Sequence, residues 1–162
     1  MLYHYFGGKE ALFTAVLEDA YLDIRSAERE LNLEDMEPEE AMDRLVEFTW
    51  RYYLKHPEFL TLVNSENLHK ARHIRNSSAI REAFPPFVRM VQSIIDRGVA
   101  KGVFREGVDP VQLNITIAAI GYYYLTNRHT GTVIYDRDFM SKEQLARRLE
   151  FNLETIRSVL RK

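Results

Sequence analysis

Residues 2–21 read LYHYFGGKEALFTAVLEDAY, and this stretch decides the fold. Tyr3, His4, Tyr5 and Phe6 precede a Gly7-Gly8 pair, and Lys9-Glu10 then opens a run with a different rhythm. Its apolar positions, Leu12, Phe13, Val16, Leu17, Ala20, Tyr21 and Ile24, recur every three or four residues. That spacing gathers them on one face of a helix with charges opposite. The glycines supply a tight turn in front of it. The stretch therefore describes the end of one helix, a turn, and a long second helix over 9–31.

The same period continues outward. Glu34, Asp35, Glu37, Glu39 and Glu40 surround Pro38. Carboxylates and an early proline suit the unpaired N–H groups at a helix start. This helix runs to about Lys55 through Met42, Leu45, Val46, Phe48, Trp50, Tyr52 and Tyr53, apolar nearly all round, as in a helix enclosed by others. A short helix over 57–68 follows His56-Pro57, and HKARHIRNSS (69–78) reads as a loop. The next helix, 78–101, contains Pro85-Pro86, which should kink or split it, and Gly102 stops it. Asp109 and Pro110 are placed as N-cap and first residue of a helix to about Arg128, with no charge between Asp109 and Arg128. HTGTVIYDRDF (129–139) reads as a connection, or at most a lone strand. Ser141 and Gln144 make a capping-box pattern before a last helix whose stripe is Leu145, Leu149, Leu153, Ile156 and Leu160. An all-α helical bundle is expected.

Composition narrows the function. The 162 residues include no cysteine, which removes disulfides, thiolate metal sites and a cysteine nucleophile. A net charge of −2 gives the body no basic field for nucleic acid. No apolar run reaches the roughly 18 residues of a membrane span, so a soluble, cytoplasmic protein without a membrane partner is expected.

LYHYFGGKEALFTAVLEDAY resembles the end of the DNA-reading helix and the start of the connector helix in the tetracycline-repressor (TetR) family. Leu2, Tyr3, His4, Tyr5, Phe6, Gly7, Gly8, Lys9, Glu10 and Leu12 follow that family's pattern position by position. The resemblance implies that residues 1–8 are a remnant of a helix-turn-helix domain and 9–162 the ligand-binding and dimerisation body, with 9–31 as connector. The two preceding helices, and the base-reading start of the third, are expected ahead of Met1. It further implies phosphate contacts from Tyr3, His4 and Lys9, which fix position on DNA without reading sequence. The function implied is a ligand-responsive regulator, a repressor, that binds operator DNA as a homodimer in its intact form. The alternative is a stand-alone helical module that binds a ligand or a protein and no DNA.

Candidate residues follow for each role. Trp50, Tyr53, Asn64, His69, Met90, Ile94 and Tyr122 combine aromatic and soft apolar walls with a few polar groups, the make-up of a small-molecule pocket, although such residues at helical spacing also describe plain core. The uncharged helix over 110–128 has apolar residues on both faces; Thr116, Ile120 and Tyr123, with Phe151 and Thr155 of the last helix, are the candidate dimer contacts. Glu66, His69 and His73 form E-x-x-H-x-x-x-H, a spacing that could hold zinc or iron, but a helical di-iron site needs a second such set, which the sequence lacks. No metal or other cofactor is expected. Neither a nucleophile elbow nor a phosphate-binding glycine loop is present, so no enzyme is expected.

Overall fold

The computed structural model describes residues 8–162; Tyr3 and His4 lie outside them. Among the described residues the chain is an all-α bundle: α1 Lys9–Arg29, α2 Pro38–Lys55, α3 Pro57–Leu68, α4 Ser78–Ala100, α5 Pro110–Thr126, α6 Arg128–Tyr135 and α7 Lys142–Leu160. Single 3-10 turns cover Leu33–Asp35 and Ile74–Asn76.

Local chemistry sets most of the boundaries. Gly8 precedes α1 at φ 134, a conformation that favours glycine. Asp109 accepts a bond from the Gln112 N–H at 2.8 Å, and the Ser141 hydroxyl accepts one from Gln144 N–H at 3.3 Å. Both satisfy donors that a helix start leaves unpaired. Pro85 and Pro86 do not split α4. They deprive the carbonyls of Arg81 and Glu82 of their helical partners, and those residues are exposed, so water can replace the lost bonds.

Segment 129–139 corrects the expected connection, because Arg128–Tyr135 is helical. Glycine and β-branched residues are poor helix formers, so tertiary contacts decide here. A Cβ at Gly131 would lie 2.5 Å from the Phe139 ring. That ring stacks on Tyr124 with centroids 4.5 Å apart, and the Tyr124 hydroxyl donates to the Phe139 carbonyl at 3.0 Å.

The core forms two clusters along α2. Ala41, Met42, Leu45 and Val46 meet Val91, Ile94 and Ile95 of α4, Leu113 and Ile117 of α5, and Ile156 and Leu160 of α7. Further along, Trp50, Tyr52 and Tyr53 meet Ile24, Phe59, Leu60 and Leu125. The segment after α4 closes the first cluster: Arg105 N–H donates to the Leu160 carbonyl at 2.8 Å, and the buried Phe104 ring lies on Gly98.

A Cβ at Gly98 would fall 2.0 Å from that ring. Gly98→Ala is therefore expected to cost about 1–3 kcal/mol of stability, the usual penalty of overpacking. Urea denaturation checks this, and an unshifted midpoint would mean that Phe104 moves aside freely.

Candidate functional site: a cavity and a clasp on the first helix

A cavity of about 520 Å³ opens beside the second cluster, lined from α1, α2, α3, α4 and α5. The rings of Tyr21, Tyr53, Phe59, Phe84 and Tyr122 form much of its wall, with Ile24, Val63 and Ala118 between them. The volume lies within the ordinary range of small-molecule sites, and the lining has their apolar, aromatic character.

Two charged residues stand in this apolar wall. Arg25 and Glu28, one turn apart on α1, are 8% and 2% exposed. Arg25 Nη2 donates to Glu28 Oε1 at 2.9 Å. Its guanidinium carbon lies 4.0 Å from the Phe87 ring centroid and 4.9 Å from that of Phe84, so two rings of α4 border the cation. Arg25 Nε and Nη1 and Glu28 Oε2 have no partner among the described residues. Burial pushes the Glu28 carboxyl up to about 7, against the pull of Arg25. The same pair lines a second cleft of about 310 Å³ with Met90 and Phe87.

The residues expected to line a pocket divide. Tyr53 and Tyr122 line the cavity, and Tyr122 donates a short hydrogen bond to Asn64 Oδ1. Trp50 and Ile94 are core residues outside the cavity wall, and Met90 belongs to the second cleft. His69 corrects its expectation: it is exposed past the end of α3, and its Nδ1 meets the Ser65 carbonyl at 2.7 Å. Arg25 and Glu28 are missing from the expected set because charges one turn apart on an amphipathic helix ordinarily face water. Their sequence signal is that Glu28 continues the stripe Leu17-Tyr21-Ile24.

The E-x-x-H-x-x-x-H residues stay close but do not share one helical face. Lys70 and Ala71 turn the chain sharply at φ 57 and φ 58, so His73 leaves the register of α3, although its ring still packs edge-on against that of His69 with centroids 5.7 Å apart. Buried Glu66 holds this turn. It accepts from the N–H groups of His73 and Ile74 at 2.8 and 3.0 Å, and its Oε2 lies 2.6 Å from His73 Nδ1. The other ring nitrogen lies 2.9 Å from Glu10 Oε2 at the start of α1, and Arg72 Nη2 reaches both Glu10 oxygens at 2.7 Å. Ser77 donates to Glu18 at 2.5 Å, a second tie between this loop and α1. Hydrogen bonds donated to Glu66, and then to Glu10, raise the His73 pKa above its ordinary 6.5. The His73 bond, with Arg72, holds Glu10 low. Burial works to raise Glu66, yet its bonds from Ile74 and His73 bring it below the ordinary value. A doubly protonated imidazolium between two carboxylates satisfies all three groups.

α5 and α7 also leave apolar side chains uncovered. Tyr123 is 66% exposed and Phe151 58%, and both line a surface cleft of about 540 Å³ together with Arg148. Thr116, Ile120 and Thr155 are half-buried on the same two helices. Lys9 is exposed in the first turn of α1.

A helical body with a long first helix, an apolar cavity beside its core and a bare apolar face on its late helices matches a known class. Residues 38–156 fit the family described as the tetracyclin repressor-like, C-terminal domain. The chain belongs to the TetR family of transcriptional regulators, and these residues form that family's C-terminal domain. It is also 40% identical over 151 residues to the HTH-type transcriptional repressor NicS of Pseudomonas putida, an alignment covering 93% of this chain and 71% of that repressor.

The clasp gives a signed pH dependence. Because the folded His73 pKa is raised, its stabilisation is complete below about pH 6.5 and is lost as pH rises through the raised value. The lowered pKa values of Glu10 and Glu66 make their contribution complete above about 4.5, and it is lost as pH falls through the lowered values. Between those limits His73→Gln is expected to cost about 1 kcal/mol, roughly 2–4 °C in Tm for a chain of this size. As pH rises through the raised His73 value, the gap between the variant and the parent should narrow. Thermal melts at pH 6 and pH 9 check this, and a constant gap would refute the charged-imidazole clasp.

Proposed function

We propose that this chain is the effector-binding and dimerising body of a ligand-responsive repressor, and that the cavity on α1 is where the effector binds. The cavity carries the reading, because the helix that forms one of its walls also begins at the motif through which the family connects body to DNA reader. On this reading residues 1–8 belong to the DNA-binding domain and 9–162 to the body. In the intact protein Tyr3, His4 and Lys9 contact operator phosphates. The protein works in the cytoplasm, and a small molecule in the cavity shifts the population of α1 positions and so the spacing of the two readers.

The homodimer would form through α5 and α7, with Thr116, Ile120, Tyr123, Phe151 and Thr155 in the contact. Support comes from the charge-free sequence of α5 and the exposure of Tyr123 and Phe151. Exposed aromatic clusters on soluble domains commonly mark partner surfaces.

Two measurements test these halves separately. Sedimentation should find a dimer, and Tyr123→Glu with Phe151→Glu should give a folded monomer, since neither side chain supports the core. A parent chain that is monomeric would sink the dimer. For the effector, a panel of small aromatic compounds should contain members that raise Tm by mass action. Ala118→Trp, which fills the cavity, should abolish the shift. A shift that survives this substitution would place binding elsewhere.

A further inference from the structure

We propose that α6 is a docking element for a second copy of this chain: the ridge Val133-Ile134 of each copy seats in the aromatic cleft of the other, and Asp136 meets the arginines at its rim. This rests on the reading of α5 and α7 as the dimer face and adds the element that fixes how the copies engage.

α6 is eight residues long, and Gly131 is its buried residue. A helix of two turns is marginal by itself, and the Phe139 ring on Gly131 holds this one from a single side. Val133, Ile134 and Tyr135 follow each other with 81%, 73% and 63% of their surface exposed. Valine and isoleucine are poor helix formers, so at these outward positions they help neither the helix nor the core. An apolar ridge of this kind is stabilised by cover from another surface.

The surface that fits lies beside it. The cleft of about 540 Å³ is walled by the rings of Tyr123, Tyr124, Tyr135, Phe139 and Phe151 and rimmed by Arg137, Arg147 and Arg148. Tyr135 belongs both to α6 and to the cleft wall, so ridge and hollow adjoin on one face. A twofold contact needs a self-complementary surface, and a ridge next to a hollow becomes one when the axis passes between them. Tyr123 and Phe151 make the cleft continuous with the proposed α5 and α7 contact.

Charge and area agree with this occupant. Among the described residues lining the cleft there are three arginines and no carboxylate. Arg148 already lies over the Tyr124 and Phe151 rings. Asp136 ends α6 directly after the ridge, exposed and left-handed at φ 49, and carries the opposite charge. At 150–250 Å² per aromatic side chain, the exposed parts of Tyr123, Tyr135 and Phe151 amount to roughly 300–450 Å². With Val133 and Ile134 the patch reaches the about 450 Å² of apolar surface in a standard interface of about 800 Å² per partner.

The test is sedimentation of this chain over a range of concentrations. The parent should be a dimer, and Val133→Ser with Ile134→Ser should raise its dissociation constant about a hundredfold, because four apolar side chains lose their cover. Serine matches valine and isoleucine in helix propensity, and circular dichroism checks that the helices persist. Asp136→Asn keeps a residue that tolerates the left-handed turn while removing the charge. It should weaken the dimer several-fold at about 50 mM salt and not at about 1 M. A parent that stays monomeric overturns the proposal and the dimer reading together, and leaves the ridge to a different partner. A parent dimer that Tyr123→Glu with Phe151→Glu breaks, and that the folded serine variant leaves at the parent's affinity, overturns the proposal alone. If the serine variant does not fold, Asp136→Asn decides, and an affinity equal to the parent's at low salt overturns the proposal.

Discussion

The structure depends on the enclosure of α2. Pro38, Ala41, Met42, Leu45, Val46, Thr49, Trp50, Tyr52 and Tyr53 are all buried, so apolar surface leaves this helix on most of its circumference. One neighbour cannot cover such a helix, and α4, α5 and α7 pack around its first half while α1 and α3 join at the second. The first half is filled by aliphatic side chains, which interdigitate closely. The second half is filled by rings, whose flat shapes leave more space between them. The cavity lies on that aromatic half, so its position follows from the change in side-chain type between Val46 and Trp50.

On the proposed reading, stability and binding make opposite demands at Arg25 and Glu28. An apolar pair at these positions would fill the wall and avoid the cost of burying charge. The charged pair instead leaves two guanidinium donors and one carboxyl oxygen unmet. Sites that keep unmet polar groups inside an apolar wall carry perturbed ionisation, and such perturbation clusters where proteins bind or react. Phe84 and Phe87 recover part of the cost by flanking the cation on α4, just beside the prolines that make this stretch of helix locally weaker.

Helix positions were legible because periodicity and capping act over a few residues. Asp109, Ser141 and Pro38 announced helix starts that the structure keeps. Segment 128–135 was not legible, since its helix is held by Phe139 packed on Gly131, a contact that composition does not encode. The charge-free α5 was read as apolar on both faces, and its buried residues form the narrow stripe Leu113, Ile117, Gly121 and Leu125, leaving Val111, Ile115 and Tyr123 outward. Within the candidate site, Tyr53 and Tyr122 could be picked out as large aromatic residues. The clasp could not, because His73 reaches Glu66 only through two consecutive left-handed residues, and Glu10 lies 63 positions away.

Cavity and clasp share one rigid element. α1 has 21 residues and is about 32 Å long, with Glu10 near one end and Glu28 near the other. Tyr21, Ile24, Arg25 and Glu28 form its cavity wall, whereas Glu10 and Glu18 tie it to the loop before α4. A displacement forced at the cavity cannot be absorbed by bending within two turns, so it reaches the clasped end as a tilt or a rotation. The clasp resists through charged hydrogen bonds, which are strong but short in range, and a shift of about 1 Å weakens them steeply. On the proposed reading this makes α1 bistable rather than compliant: held while Glu10, His73 and Glu66 stay in register, and released once they leave it. The His73 proton then sets how firmly the resting position is held, so an effector would move the helix more easily above the raised His73 pKa than below it.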